Sequence, residues 1–206
     1  MGIDLLQQFS NEMAQVASET RHSLVQITGK RGNLGAGTIW HEDGLIITNA
    51  HVIRDNAVTV ILPDGTEYPA QVIASDRHQD LAALAISASG LPTIRLGDSR
   101  LVRAGHWVIA LGHPWGVLDA LTAGTVIGTG TRLPELAHGR DWIALGLRLR
   151  PGHSGGPLVD VEGKLIGINT MITGPEVGFA IPVHIVKAFL RETIGMFQNA
   201  PEPEMV

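Results

Sequence analysis

The sequence contains no cysteine, which excludes a disulfide-stabilised scaffold and a thiolate nucleophile. Positive charge is also in short supply. The 15 lysines and arginines are outnumbered by 20 aspartates and glutamates, and the net charge at pH 7 is −5. A chain with this balance lacks the basic surface that binds nucleic acid, so we expect no nucleic-acid partner.

Long apolar runs are missing as well, and no segment approaches the ~20 residues of a membrane-spanning helix. The first ten residues lack both the basic segment and the apolar core of a secretory signal. We therefore expect a soluble chain without a membrane span. It is expected to be cytoplasmic as given, or periplasmic or otherwise extracytoplasmic if a targeting segment has been removed.

Histidine is plentiful, but its spacing does not indicate a metal site. The nine histidines show no close ligand spacing with carboxylates or with one another. We expect neither a metal ion nor another cofactor.

Glycine and short apolar runs are what the chain has in abundance, with 25 glycines and 44% hydrophobic residues. Many short strands separated by turn signals are typical of a β-sandwich or a β-barrel, so the predicted class is all-β. Helical spacing predicts a helix over residues 4–20, with Leu5, Leu6, Phe9, Met13 and Val16 on one face. A closing helix is predicted over 182–195. The predicted strands are 23–28, 35–40, 45–48, 57–62, 67–74, 81–86, 107–111, 121–128, 142–147, 157–160 and 164–171.

The most informative motif is the hexapeptide GHSGGP at residues 152–157. A serine hydroxyl becomes a nucleophile only when a base within hydrogen-bond reach takes its proton. The developing oxyanion also needs backbone N–H donors, and the surrounding glycines permit the tight turn that presents them. The motif therefore predicts Ser154 as nucleophile, with an oxyanion hole formed by the N–H groups of Gly152 and Ser154.

The motif allows three other interpretations. A Gly-Pro turn between two strands accounts for the GGP ending. A phosphate-binding loop lacks its Gly-Lys-Ser/Thr ending, and a nucleophile elbow requires a G-x-S-x-G spacing that is absent. The catalytic interpretation depends on finding a base and an orienting acid elsewhere in the chain.

A base and an acid are both present, each at the end of an apolar run. His51 follows the predicted strand 45–48, and Asp80 directly precedes the predicted strand 81–86. A histidine titrates near neutral pH, and a carboxylate on its far nitrogen fixes the tautomer. Asp76 competes with Asp80 but lies in a polar stretch that is typical of an exposed turn. Asp80 is favoured because it adjoins the buried strand.

Together these segments resemble the trypsin-like serine proteases of the HtrA/Deg family, over about residues 20–195. The resemblance rests on TNAHV at 48–52, on the aspartate before LAAL at 80–84 and on the nucleophile loop, with further matches at 96–99, 105–114, 163–170 and 178–182. It implies two six-stranded β-barrels with His51 as base, Asp80 as orienting acid and Ser154 as nucleophile. The implied organisation is an N-terminal helix (1–20), a protease domain (21–195), a tail expected to be disordered (196–206) and no PDZ domain.

Two departures from the family pattern lie in the nucleophile loop. His153 replaces an asparagine, and the segment before Gly152 reads LGLRLRP. By resemblance, the substrate-binding residues are Leu149, Ile168, Asn169, Thr170 and Met171, which predicts a small or medium aliphatic residue before the scissile bond. Arg148 and His153 are both expected to face solvent. The loop over residues 129–141 is either a variable surface loop or, by resemblance, an activation loop.

The resemblance implies a serine endopeptidase that hydrolyses unfolded or misfolded proteins without ATP, in protein quality control, and that assembles as a homotrimer through its N-terminal segment. Its partners would be unfolded polypeptides. The alternatives are a peptide-binding, chaperone-like module whose triad is not assembled, and a trypsin-like esterase or protease with one dedicated target. For the N-terminal helix, the alternative to assembly is docking on the chain's own second barrel.

Overall fold

The computed structural model describes residues 2–29, 32, 35–54, 57–131, 139–173 and 177–194. Two helices, α1 (Gly2–Thr20) and α2 (Val183–Ile194), flank twelve strands. The strands are β1 (Leu24–Gly29), β2 (Gly35–His41), β3 (Leu45–Thr48), β4 (Val58–Ile61), β5 (Glu67–Asp76), β6 (Leu81–Ile86), β7 (Trp107–Gly112), β8 (Ala120–Gly130), β9 (Trp142–Gly146), β10 (Pro157–Asp160), β11 (Leu165–Thr173) and β12 (Val177–Pro182).

The first barrel closes in the order β1-β2-β3-β6-β5-β4, with every neighbouring pair antiparallel. Strand β3 is buried along its whole length, and β6 nearly so, which explains their continuous apolar sequences. Their register pairs Ile46 with Leu84 and Thr48 with Ala82. The carboxyl end of β3 therefore meets the amino end of β6, and this pairing brings the segments that carry His51 and Asp80 together.

The second barrel closes in the order β10-β11-β12-β9-β8-β7. Eleven of the twelve strands correspond to predicted ones, and the two-barrel architecture implied by the resemblance is confirmed. The missing strand is β12, whose short sequence VGFAIP has a glycine near one end and a proline at the other. Its pairing with β9 and β11 stabilises it as a strand, and no local alternation signals this partnership.

The segment between β6 and β7 bridges the two barrels by backbone hydrogen bonds. Ile94 N–H donates to the Ile39 carbonyl in the first barrel at 3.2 Å, and Leu165 N–H in the second barrel donates to the Arg95 carbonyl at 2.7 Å. Gly97 N–H returns a bond to the Leu165 carbonyl at 2.9 Å. These main-chain hydrogen bonds thus tie the segment to both barrels.

The loop of residues 152–157, which contains Ser154, also joins the barrels, because it docks directly on β2 and β3. Ala36 N–H donates to the Ser154 carbonyl at 2.9 Å. A Cβ atom on Gly155 would lie 2.1 Å from the Ala36 carbonyl oxygen and 2.2 Å from Thr48 Oγ1. Gly155 also has a φ of +85°, so both the space and the backbone conformation require glycine here. Ser154 is consequently held at the junction of the two barrels.

The predicted helix at the N-terminus is confirmed, but only part of its apolar face is packed against the rest of the chain. Met13 and Val16 pack against the core, and the Phe9 ring meets the Trp107 ring edge to face at a centroid distance of 5.7 Å. Leu5 and Leu6 remain 69% and 70% exposed. The helix therefore docks on its own chain from Phe9 onward, while Leu5 and Leu6 near its amino end remain in solvent.

Helix α2 corresponds to the predicted closing helix and packs Val186, Phe189 and Leu190 into the core. Among the described residues, no helix is long and apolar enough to cross a membrane. The predicted tail at 196–206 and most of the loop at 129–141 lie outside the described residues.

Candidate active site

His51 and Asp80 form a close pair at the end of the first barrel. His51 Nδ1 lies 2.8 Å from Asp80 Oδ2 and 3.0 Å from Oδ1, and the backbone N–H of His51 donates to Oδ1 at 3.0 Å. A carboxylate on Nδ1 fixes the tautomer in which Nε2 is free to accept a proton. The His51 side chain is 44% exposed, so this free nitrogen is accessible to a substrate.

Asp80 is buried and held from several directions. Its φ of +56° is unusual for a residue other than glycine, and Asn49 Nδ2 fixes this backbone by donating to the Asp80 carbonyl at 3.0 Å. Thr170 Oγ1, from the second barrel, donates to Oδ2 at 2.5 Å. Burial alone would raise the pKa of Asp80, but the hydrogen bonds from His51 and Thr170 outweigh it and hold the pKa below its usual value of 3.8. The carboxylate therefore stays charged at neutral pH.

Asp76, the competing candidate, has a different role in the same loop. Its Oδ1 accepts hydrogen bonds from the backbone N–H groups of His78 at 2.7 Å and Gln79 at 3.0 Å. It closes the turn that leads into Asp80, as aspartate side chains commonly do. The carboxylate that contacts His51 is therefore that of Asp80, as the sequence predicted.

Ser154 lies in the second half of the site, and its hydroxyl donates to the Thr170 carbonyl at 2.9 Å. Among the described residues there is no hydrogen bond between Ser154 and His51. Apo geometry of this kind is common at catalytic hydrogen bonds, which tighten when substrate binds. The serine is thus linked to the pair through Thr170, whose carbonyl accepts the Ser154 hydroxyl and whose own hydroxyl donates to Asp80.

The turn before the serine, residues 150–153, supplies free backbone donors. His153 N–H closes the turn onto the Arg150 carbonyl at 2.9 Å, and Gly152 has a φ of +107°. Proline followed by glycine with positive φ is the type II pattern. Within the described part of the chain, neither the Gly152 N–H nor the Ser154 N–H has an acceptor. Two unpaired N–H groups beside a serine are what a tetrahedral oxyanion requires. We call residues 150–153 the oxyanion turn.

This geometry agrees with the comparisons with known proteins. A family model for the trypsin-like peptidase domain matches residues 35–168. The HtrA-type protease AlgW, solved with a decapeptide, has a TM-score of 0.81 and 30% identity, and the match covers 89% of this chain and 68% of that one. This chain is a member of the HtrA-type protease family.

Two curated relatives of this family illustrate the range of its members. Serine protease HTRA2, mitochondrial, of Drosophila pseudoobscura pseudoobscura is 40% identical over 162 residues, which are 76% of this chain. A probable periplasmic serine endoprotease DegP-like of Halomonas elongata is 36% identical over 185 residues, or 87% of this chain. The chain spans about 38% of the length of each of these relatives.

The residues predicted to bind substrate occupy two different environments. Leu149 is buried in the second barrel, where a Cβ atom on Gly178 would lie 2.9 Å from its side chain. Ile168 and Asn169 are fully buried, and Asn169 Nδ2 donates to the Leu111 and Pro157 carbonyls. Their assignment as substrate-binding residues stays a prediction, and their side chains face the interior. The main chain of Thr170 and Met171 continues along β11 beside Ser154.

Arg148 is exposed, as the sequence predicts, but the expectation that His153 faces solvent is wrong. The His153 side chain is buried, with 3% of the residue exposed, because its ring turns back against the Arg150 backbone. The sequence analysis does not predict Asn49 and Thr170 as partners of Asp80. Asn49 lies in the TNAHV segment, and Thr170 is a predicted substrate-binding residue.

A second cluster of the same three residue types is formed by Ser99 in the bridging segment, Asp141 just before β9 and His184 in α2. Ser99 Oγ is 2.8 Å from His184 Nδ1, and His184 Nε2 is 3.2 Å from Asp141 Oδ2. Ser99 Oγ also accepts the backbone N–H of His184 at 3.2 Å, at the first turn of α2. We call these three residues the helix-cap cluster, and His51, Asp80 and Ser154 the active-site cluster.

No group of three or more histidine, aspartate or glutamate side chains in the described ranges is arranged to hold a metal ion.

Proposed function

We propose that this chain is a serine endopeptidase in which Ser154 is the nucleophile, His51 the general base and Asp80 the orienting acid. The observation that carries the proposal is the His51–Asp80 pair, linked through Thr170 to a serine whose neighbouring N–H groups, at Gly152 and Ser154, have no acceptor in the described part of the chain. Membership of the HtrA-type family supports the same reaction.

In the proposed reaction, Ser154 Oγ attacks the scissile carbonyl carbon and its proton passes to His51 Nε2. The negative charge of Asp80 stabilises the imidazolium, and the N–H groups of Gly152 and Ser154 bind the oxyanion. Collapse of this intermediate breaks the C–N bond, and the leaving amine takes the proton from His51. Water then attacks the acyl-enzyme by the same steps and releases the carboxylic acid.

The resting hydrogen bond from Ser154 to the Thr170 carbonyl suggests how substrate starts the reaction. A peptide that adds as an extended strand beside β11 offers its own N–H groups to this strand. Once a substrate N–H takes the Thr170 carbonyl, the serine hydroxyl is released to donate to His51. Substrate binding and alignment of the nucleophile are then one event, and the resting enzyme stays less reactive.

Strand addition binds a peptide through main-chain hydrogen bonds, which requires an extended segment. The proposed substrates are therefore unfolded or misfolded polypeptides, hydrolysed without ATP in protein quality control. The test is the digestion of casein and of a folded control protein, with cleavage sites mapped by mass spectrometry. We expect casein alone to be cut, mainly after valine, alanine or leucine. A majority of cuts after charged or large aromatic residues would contradict the aliphatic pocket. Comparable cutting of the folded protein would contradict the substrate class.

The alternative function is peptide binding without cleavage, and the absence of a hydrogen bond between Ser154 and His51 in the described site is the observation that favours it. The two functions separate in the same casein assay. Binding of casein without any cleavage would support the alternative.

We also propose that the chain forms a homotrimer through α1. Leu5 and Leu6 are exposed, and Leu101 and Val161, also exposed, line the same hollow as Trp107, on which Phe9 rests. Exposed apolar side chains grouped on one surface in this way are typical of a protein–protein interface. Light scattering of the full chain should give three times the monomer mass, and deletion of residues 1–19 should give a monomer. A monomeric full chain at micromolar concentration would contradict this assembly.

A further inference from the structure

Two buried histidines lie against each other beneath the oxyanion turn. His113 directly follows β7, and His153 is the last residue of the turn. Each of the two residues is only 3% exposed. We call them the histidine pair. The proposed reaction uses neither of them.

The two backbones are in direct contact. His113 N–H donates to the Gly152 carbonyl at 2.9 Å. A Cβ atom on Gly112 would lie 2.5 Å from His153 Cα, and one on Gly152 would lie 2.4 Å from the His113 carbonyl oxygen. A displacement of His113 or of His153 is therefore transmitted directly to Gly152, which carries a proposed oxyanion donor.

Each ring also closes the loop that contains it. His113 Nδ1 accepts the Asp119 N–H at 3.3 Å, which holds together the loop after β7. His153 Nδ1 lies 3.1 Å from the Arg150 nitrogen and 3.2 Å from the Arg150 carbonyl oxygen, so it fixes the oxyanion turn. On both rings the other nitrogen, Nε2, is buried and lacks a hydrogen-bond partner among the described residues.

A neutral imidazole fits these surroundings better than a charged one. Burial lowers the pKa of both rings below 6.5. At His113, the Asp119 carboxylate and the Val25 carbonyl of β1 raise the pKa and so oppose burial, while His153 lowers it further. At His153, the Arg150 carbonyl opposes the effect and the Arg150 guanidinium, which stacks over the Trp115 ring at 5.1 Å, adds to it.

The direction of the pH effect follows from these shifts. A base whose pKa is lower in the folded state binds fewer protons there than in the unfolded chain. The histidine pair therefore stabilises its surroundings above pH 6.5, and this stabilisation is lost as the pH falls below that value. Protonation of His113 at Nδ1 also removes the acceptor of the Asp119 N–H.

We propose that His113 and His153 are positioning residues, which hold the oxyanion turn in its donor conformation only while both rings are neutral. Acidification then withdraws the Gly152 N–H from the oxyanion site. The proposal rests on the proposed peptidase function for its consequence, and it adds to the site a pH-sensitive support that the triad alone does not provide.

The kinetic test compares the full chain with His113→Asn, His153→Asn and the double variant. An asparagine amide oxygen can accept the Asp119 or Arg150 N–H as Nδ1 does, but it does not titrate. The exposed His106→Asn is the matched control. In the unsubstituted enzyme and in the control, we expect log kcat to fall on the acid side of the pH profile with a slope greater than one per pH unit. In the double variant the slope should be one per pH unit, with KM little changed. An identical limb in all five proteins would overturn the proposal.

Nuclear magnetic resonance of the unsubstituted, ¹⁵N-labelled chain provides a test that needs neither activity nor a folded variant. The amide signal of Gly152 should shift with the same apparent pKa as the ring signals of His113 and His153. A Gly152 amide that stays in place while the rings titrate would overturn the proposal. If casein is not cut at any pH while Gly152 follows the rings, the peptidase function fails and the proposed support of the turn stands.

Discussion

The active-site cluster and the helix-cap cluster contain the same three residue types in different surroundings. In the helix-cap cluster the contacts run without a break, from the Ser99–His184 hydrogen bond to the ion-pair contact between His184 and Asp141. In the active-site cluster the histidine–aspartate contact is shorter, at 2.8 Å against 3.2 Å, but the serine is bonded to Thr170 instead. An unbroken series of contacts is therefore not what distinguishes the proposed nucleophile from Ser99.

The difference lies in what surrounds each serine. Ser99 is buried, and its hydroxyl oxygen already accepts the backbone N–H of His184 at the start of α2. Ser154 is partly exposed and lies between two glycines with positive φ, Gly152 and Gly155, and the N–H groups of Gly152 and Ser154 have no acceptor among the described residues. Catalysis needs access for the substrate and donors for the oxyanion, and only the active-site cluster combines both.

The largest effect is expected from the serine itself. Ser154→Ala should lower kcat on casein by roughly 10⁶-fold, leaving only binding and oxyanion stabilisation. His51→Ala should cost about as much, and the double variant little more, because the three residues act as a unit. The matched control is Ser99→Ala, which should keep kcat within about three-fold. Comparable cleavage by the Ser154→Ala protein would reject the assignment.

The same substitution, aspartate to asparagine, can be made at Asp80 in the active-site cluster and at Asp141 in the helix-cap cluster. Asp80→Asn should lower kcat by about 10⁴-fold, because the amide favours the wrong tautomer of His51. Asp141→Asn and Asp76→Asn should leave kcat nearly unchanged, since neither carboxylate contacts His51. Steady-state kinetics on one peptide substrate would measure all three. A larger loss for Asp76→Asn than for Asp80→Asn would reverse our assignment of the acid.

Removal of the hydroxyl of Thr170 should give an intermediate effect. Thr170→Val keeps the shape and the backbone carbonyl but deletes the 2.5 Å hydrogen bond to Asp80. A hydrogen bond to a charged group contributes about 1.5–3 kcal/mol, so kcat/KM should fall by roughly 10- to 100-fold. The pKa of Asp80 should rise. Thr59→Val, on β4, is the control, and an equal loss in both variants would indicate that the effect is not specific to Asp80.

The smallest effect concerns stability and belongs to the helix-cap cluster. Ser99→Ala removes the hydroxyl that accepts a backbone N–H at the first turn of α2. Loss of such a cap should lower the free energy of unfolding by about 1 kcal/mol. Chemical denaturation measures this value. No change in stability would show that Ser99 does not cap the helix.

The parts of the site that the sequence predicts are those that depend on neighbouring strands. His51 and Asp80 end and begin apolar runs, and antiparallel pairing of such runs brings their ends together. The type II turn could also have been predicted, because proline followed by glycine before the serine is its usual sequence.

The remaining features depend on contacts between segments that are distant in the sequence or on how a loop folds back, which local patterns do not reveal. Thr170 bonds to a carboxylate 90 positions away. His153 is buried against the Arg150 backbone and against Gly112 at the end of β7, and an adjacent serine and glycine give no sign of this. Strand β12 forms only between two partners. In each case the sequence supplies a suitable residue, while its partner is known only once the chain has folded.

The most direct measurement is the reaction of the unsubstituted chain with a fluorophosphonate probe, followed by peptide mapping of both serines. Phosphonylation requires an activated hydroxyl next to free N–H donors. We predict a single adduct on Ser154, its loss in His51→Ala and its retention in Ser99→Ala. An adduct on Ser99, or the absence of any adduct in a protein that still binds casein, would contradict the account.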